Sequence, residues 1–174
     1  MGCGKATKEK AAKIKAAADA RVAAEKKATE TATIPQQPKT TSEKLITDPI
    51  VEKAVREKLK KPTGELTKAD LEKVKYLDLD NNQLTDVKGL EKLTQLKILE
   101  LSRNQLTNVK GLEKLTKLEW LALELNQLTS VKGLEKLTQL NRLNLRANPD
   151  LTKAQIAELQ KALPNCRIWS NPKK

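Results

Sequence analysis

LDLDNNQLTDVKGLEKLTQLKI (residues 77–98), LELSRNQLTNVKGLEKLTKLEW (99–120) and LALELNQLTSVKGLEKLTQLNR (121–142) are three copies of one 22-residue unit. Set in register they form columns of identical residues. Leu77, Leu99, Leu121 and Leu143 make one, Leu79, Leu101, Leu123 and Leu145 a second, and Asn82, Asn104, Asn126 and Asn148 a third. Leu84/Leu106/Leu128, Val87/Val109/Val131, Leu90/Leu112/Leu134, Leu93/Leu115/Leu137 and Leu96/Leu118/Leu140 complete the apolar set. One such unit cannot bury its own apolar face, so a repeat array that stacks unit on unit follows.

Each part of the unit has a physical role. Leu-x-Leu is a short strand with both leucines on one side. The Asn ends the strand and turns inward, where its amide serves loop backbone groups that would otherwise be buried unpaired. Gly89, Gly111 and Gly133 share one position, which asks for a backbone angle or close approach that larger residues resist. The remaining leucines form a convex segment that closes the turn of the solenoid.

The register extends in both directions. Val74 and Leu71 lie 22 residues before Leu96 and Leu93, so LTKADLEKVKYL is half of a degenerate first unit. Beyond Asn148, PDLTKAQIAELQKALPNCRIWSN reads as one residue longer than the unit, with an amphipathic helix in place of the convex segment. An offset of 23 then aligns Cys166, Ile168 and Asn171 with Leu143, Leu145 and Asn148. A fifth strand at 166–168 and a core role for Cys166 are expected, because a buried free cysteine behaves as a small hydrophobe. Upstream, Thr47 or Asp48 can cap a helix near residues 49–60 that has Pro49 in its first turn. Val51, Ala54, Val55 and Leu59 give it one apolar stripe to set against the open end of the array.

Before Ile46 the composition changes. KATKEKAAKIKAAADARVAAEKKATE (5–30) is a helix-favouring run with only Ile14 and Val22 as candidate anchors. It reads as a solvated spacer, about 40 Å long if fully helical. TATIPQQPKTTSEK (31–44) reads as a disordered linker. The expected organisation is a spacer over 1–30, a linker over 31–45 and a folded domain over 46–174. That domain divides into a cap (46–75), repeats (76–148) and a C-terminal unit (149–174).

Composition narrows the function. Histidine is absent, removing the usual general base near neutral pH and the commonest metal ligand. No nucleophile–base pair, glycine-rich phosphate loop or metal-ligand spacing appears, so the expectation is no enzyme, no cofactor, no metal and no small-molecule substrate. The net charge of +12 is spread without a run of five like charges, and it permits attraction to anionic lipid or nucleic acid without specifying either. Cys3 and Cys166 lie far apart, and no disulfide is expected. No apolar run is long enough to span a bilayer.

The unit LxxLxLxxNxLTxVxGLxxLTxL resembles the bacterial leucine-rich repeats of the internalin type. ITDPIVEKAVREKL and LTKADLEKVKYL resemble the helical cap of such proteins, and ALPNCRI the terminal unit of many bacterial repeat proteins. A eukaryotic phosphatase-regulating class has similar repeats, though nothing else here points to it. The resemblance implies an α/β right-handed solenoid with a parallel concave sheet, a helical N-terminal cap and a helical C-terminal unit. It also implies protein–protein recognition on that sheet.

In such a fold the residues flanking the strand leucines face the concave surface. The first expected column is Tyr76, Ile98, Trp120, Arg142 and Asn165. The second is Asp78, Glu100, Ala122, Asn144 and Arg167, and the third is Asp80, Ser102, Glu124, Arg146 and Trp169. All three aromatics of the chain fall here, with Tyr76, Ile98 and Trp120 expected to form an exposed apolar strip. Exposed aromatics beside charges are the usual composition of a binding hot spot, although packing between neighbouring strands would also place them so. Asp78, Asp80, Glu100 and Glu124 gather toward one end, and Arg142, Arg146 and Arg167 toward the other. The expected partner is a protein bound weakly or multivalently, because five strands about 4.8 Å apart offer a small footprint. A structural envelope component without a ligand, or a weak binder of anionic polymers, is the alternative; nucleic acid is disfavoured for want of a single-signed groove. The Lys88/Lys110/Lys132 and Glu91/Glu113/Glu135 columns read as a solvated, self-neutralising convex face.

Met1-Gly2-Cys3-Gly4 precedes the spacer. Gly-Cys resembles the junction of a bacterial lipoprotein signal, where the cysteine is lipidated, although the apolar stretch that precedes such a junction is missing. Eukaryotic acylation is a second explanation, against which Ala6 stands at the position of the required Ser/Thr, and coincidence is a third. The first makes Cys3 a membrane tether at the bacterial cell envelope; without it the chain is expected in the cytoplasm.

Overall fold

The computed structural model describes residues 44–172, and the spacer, most of the linker and Cys3 lie outside them. Five three-residue strands form one parallel sheet in sequential order: β1 Tyr76–Asp78, β2 Ile98–Glu100, β3 Trp120–Ala122, β4 Arg142–Asn144 and β5 Arg167–Trp169. Between strands the chain returns through single 3-10 turns at Leu90–Lys92, Leu112–Lys114 and Leu134–Lys136. This is the expected solenoid of coils stacked 22 residues apart.

Helix α1 (Pro49–Leu59) closes the first end. Asp48 Oδ1 accepts the N–H groups of Ile50 (2.8 Å) and Val51 (3.0 Å), satisfying two orphan donors of the first turn. Val51 and Val55 are fully buried, with Ala54 and Leu59 packed against the same core. A one-turn helix, α2 (Lys68–Leu71), follows, held by a capping box between Thr67 and Asp70. Helix α3 (Lys153–Ala162) begins on a second box, Thr152 with Gln155.

The leucine columns fill the interior, almost all of them without solvent contact. The asparagines join coil to coil. Asn104 Oδ1 accepts the N–H groups of Asn82 (3.1 Å) and Leu84 (2.9 Å), while its Nδ2 donates to the carbonyls of Leu79 (2.9 Å) and Leu101 (3.0 Å). Asn126 and Asn148 repeat the pattern on Leu106 and Leu128. Asn82, with no complete coil before it, is only half-buried.

The glycines adopt the angle their column implied, with φ of 89°, 109° and 103° at Gly89, Gly111 and Gly133. Their N–H groups are taken by a column expected to be mere surface charge. Glu91, Glu113 and Glu135 each turn back to accept the glycine N–H two residues earlier, at 2.7, 2.5 and 2.6 Å. The convex glutamates are therefore structural. Glycine in this conformation leaves a donor pointing away from the turn's own carbonyls, and a carboxylate two residues on is the nearest strong acceptor.

The last strand corrects the expected register. Leu143 pairs with Ile168 and Asn144 with Trp169, an offset of 25 residues instead of 23, and the strand covers 167–169 instead of 166–168. An α-helix advances about 1.5 Å per residue against about 2.0 Å for a 3-10 turn, so crossing the convex side on α3 consumes more chain. The shift is even, so every side chain keeps its face. Cys166 is buried as expected but precedes the strand, and Ile168 takes the place opposite Leu143. Burial pushes the Cys166 thiol up to about 11, which suits a core residue and opposes thiolate chemistry.

Candidate partner-binding surface

The strand leucines point into the core, so their neighbours line the other face of the sheet. Tyr76, Ile98, Trp120 and Arg142 stand side by side in register. The two-residue shift of β5 puts Arg167, not Asn165, next to Arg142, and Trp169 next to Asn144. Asn171 now falls beside Arg146, where Trp169 was expected, and its Oδ1 accepts the N–H of Ala147 at 2.6 Å.

The apolar strip is less open than the sequence implied. Tyr76, Ile98 and Trp120 are half-buried, not exposed. Lys58, reaching from α1, places its Nζ 4.3 Å from the Tyr76 ring centroid. Arg142 lies over Trp120 with Cζ at 4.3 Å, and Arg167 over Trp169 at 4.9 Å. Each aromatic thus carries a cation on one face, an attractive contact that also removes apolar surface from water.

The acidic half is tied down by hydrogen bonds. The Tyr76 hydroxyl donates to Glu100 Oε2 at 2.8 Å. That bond, with partial burial and the carboxylates around it, pushes the phenol up to about 12. Asp80 Oδ1 accepts the Ser102 N–H at 2.6 Å, and Asp78 Oδ1 accepts the Asp80 N–H at 3.0 Å. Burial, helped by the charges of Asp78 and Glu100, still raises the Asp80 carboxyl above its ordinary value. Glu124 accepts from Asn144 Nδ2 at 2.8 Å. Asp78, Asp80 and Glu100 lie on β1 and β2 and their loops, Glu124 after β3, and Arg142, Arg146 and Arg167 on and after β4 and β5, with Arg103 on the loop after β2.

Two features escaped the sequence reading. Lys58 joins the first column through tertiary packing alone, which leaves no local signal. Leu125 did leave one. It occupies the position held by Asn81, Arg103 and Ala147 in the other units, and it is the exposed large hydrophobic of the described residues, 45% accessible. Among the described residues no group of His, Cys, Asp or Glu is arranged to hold a metal ion, and no helix is long and apolar enough to cross a membrane.

Comparison with known proteins agrees with this geometry. A family model described as leucine-rich repeats (two copies) matches residues 72–114. No curated protein matches the sequence. Among solved structures, an internalin of Listeria monocytogenes aligns with a TM-score of 0.63 at 22% identity, covering 75% of this chain and 46% of its own. Internalin C2 of the same organism aligns with a TM-score of 0.65 at 27% identity, covering 75% and 58%. A leucine-rich-repeat protein of Leptospira interrogans is 34% identical over 60% of this chain and 28% of its own, with a TM-score of 0.53. The chain spans about half the length of the internalins it matches. A 22-residue repeat held in register over a five-stranded parallel sheet, with these neighbours, gives the chain a leucine-rich-repeat solenoid fold similar to that of the bacterial internalins.

Proposed function

We propose that the chain acts by binding rather than by catalysis, taking a protein partner on the concave sheet over Tyr76, Ile98 and Trp120, with Asp78, Asp80, Glu100 and Glu124 and the arginines of β4 and β5 setting its orientation. The observation that carries this reading is where the repeats differ. Their convex residues are nearly invariant from unit to unit, whereas the sheet-face positions run Tyr, Ile, Trp, Arg and Asp, Glu, Ala, Asn. A purely structural array has no need to vary one face only. The small footprint favours a weak contact or one of several made together.

The test is affinity capture with the repeat domain, identification of the bound protein, and measurement of its binding to variants. Trp120→Ala is expected to weaken it by about 1–2 kcal/mol, as central aromatic anchors do. Glu100→Lys should act mainly through association rate and salt dependence. Lys110→Glu, on the convex side, should change nothing. Loss with the convex variant and not with Trp120→Ala refutes the surface.

The same proposal places the chain at a bacterial envelope, tethered through a lipid on Cys3. It rests on the Gly2–Cys3 pair and the spacer-like composition behind it. Native protein should partition into detergent and carry an acyl mass on its N-terminal peptide, and Cys3→Ser should abolish both. A soluble, unmodified native protein would end this part of the proposal.

A further inference from the structure

The two ends of the sheet face differ in more than sign. Every carboxylate of the acidic end already accepts a hydrogen bond from within the chain, from Asp80 N–H, Ser102 N–H, Tyr76 or Asn144. The arginines make no such bond to the described carboxylates, although Arg142 and Arg167 lie on tryptophan rings. Arg142, Arg146 and Arg167, and Arg103 on the loop after β2, are exposed, and none forms an ion pair with a described carboxylate. Arg142 and Arg167 are direct register partners, a like-charge pairing that strands ordinarily avoid.

Leu125 stands out on the loop after β3. Its φ is 56°, in the left-handed region that disfavours branched side chains, and it is exposed. Asn, which tolerates that region, holds the equivalent place at Asn81. Leu125 donates its N–H to the carbonyl of Arg146 at 3.0 Å, and Arg103 donates its N–H to the carbonyl of Glu124 at 2.8 Å, so one backbone ladder links the loops that carry Arg103, Leu125 and Arg146. Arg103 and Ala147 share that φ, so the conformation belongs to the repeat, and what is particular to Leu125 is a large apolar side chain left in water.

Taking the sheet face as the docking surface, we propose that the arginine-bearing strands and the loops after β2, β3 and β4 receive an extended acidic segment of the partner protein. One aliphatic side chain seats on Leu125, and carboxylates reach Arg103, Arg142, Arg146 and Arg167. A bidentate guanidinium suits a carboxylate or a phosphate alike. Nucleic acid fits less well, because both tryptophan rings already carry a guanidinium where a base would stack.

The probe is a displayed library of random peptides of about 12 residues, selected on the full chain, the best clone then being synthesised with a fluorescent label. Enriched clones should be net acidic and contain Leu, Ile or Val. Leu125→Asn and Arg146→Glu should each weaken the labelled peptide by about tenfold, the loss expected of one good contact. Leu125→Asn should unfold at the same or a higher temperature, which separates lost binding from lost fold. No enrichment, neutral or basic clones, or indifference to both variants overturns the inference. So does displacement of the peptide by an equal concentration of random single-stranded DNA. Acidic clones that respond to Trp120→Ala but to neither variant overturn it while leaving the sheet face as the docking surface.

Discussion

Arg142 rests on Trp120, its Cζ 4.3 Å from the ring centroid, although the two residues belong to different repeats. The contact makes Trp120 a stabilising residue as well as a candidate anchor. A double-mutant cycle of Trp120→Ala and Arg142→Ala in urea unfolding should give a coupling of about 0.5–1 kcal/mol, the usual worth of an exposed cation–π pair. Strict additivity would show that the two side chains merely lie close.

The asparagine column should show a gradient. Asn104→Leu removes the acceptor for two backbone N–H groups and the donor to the carbonyls of Leu79 and Leu101, and should destabilise by about 1–3 kcal/mol. Asn82→Leu should cost clearly less, since Asn82 is half-buried and its side chain donates to Asp80 O at the rim. Equal losses at the two positions would contradict the assignment.

Glu113 offers a pH test. Its own backbone N–H and that of Gly111 hold the carboxyl below its ordinary value of 4.5. A depressed pKa in the folded chain means stability that is complete above 4.5 and lost as the pH falls through the lower folded value. Glu113→Ala should therefore be less stable than the parent by about 1 kcal/mol at pH 7, with the gap closing in acid. A gap independent of pH would assign the loss to packing.

Tyr76 reports on the acidic end. Its hydroxyl bond to Glu100 favours the protonated phenol, so the associated stability is present below the ordinary value of 10.0 and fades as pH rises through about 12. Glu100→Gln should bring the phenol back toward 10, seen as tyrosinate absorbance at lower pH. An unmoved titration would show that burial, not Glu100, sets the value.

Most of the fold was legible because a repeat states its register several times. Leu99, Leu121 and Leu143 each confirm where Leu77 belongs, and the Asn and Gly columns confirm the turns. The final strand is stated once, after a helix whose rise per residue differs, so counting along the chain placed Arg167 and Trp169 one column away from where they stand. The face of each residue survived, because the error was even. The surface residues were legible as a set, but their contacts were not. Nothing in the sequence says that Lys58 will reach Tyr76, or that Arg142 will lie on Trp120 instead of in solvent. The Glu113 bond needed a backbone conformation that the Gly column only hinted at.

The bonds that Asn104 Nδ2 donates, and the one its Oδ1 accepts from Leu84, recur at Asn126 and Asn148 with the equivalent partners one unit along. A whole unit inserted or deleted would remake every one of them, whereas a part of a unit would break them all. Such a chain can lengthen or shorten by duplication or loss of complete modules without redesigning a single contact. Each new copy then arrives with an intact interior and a sheet face free to diverge.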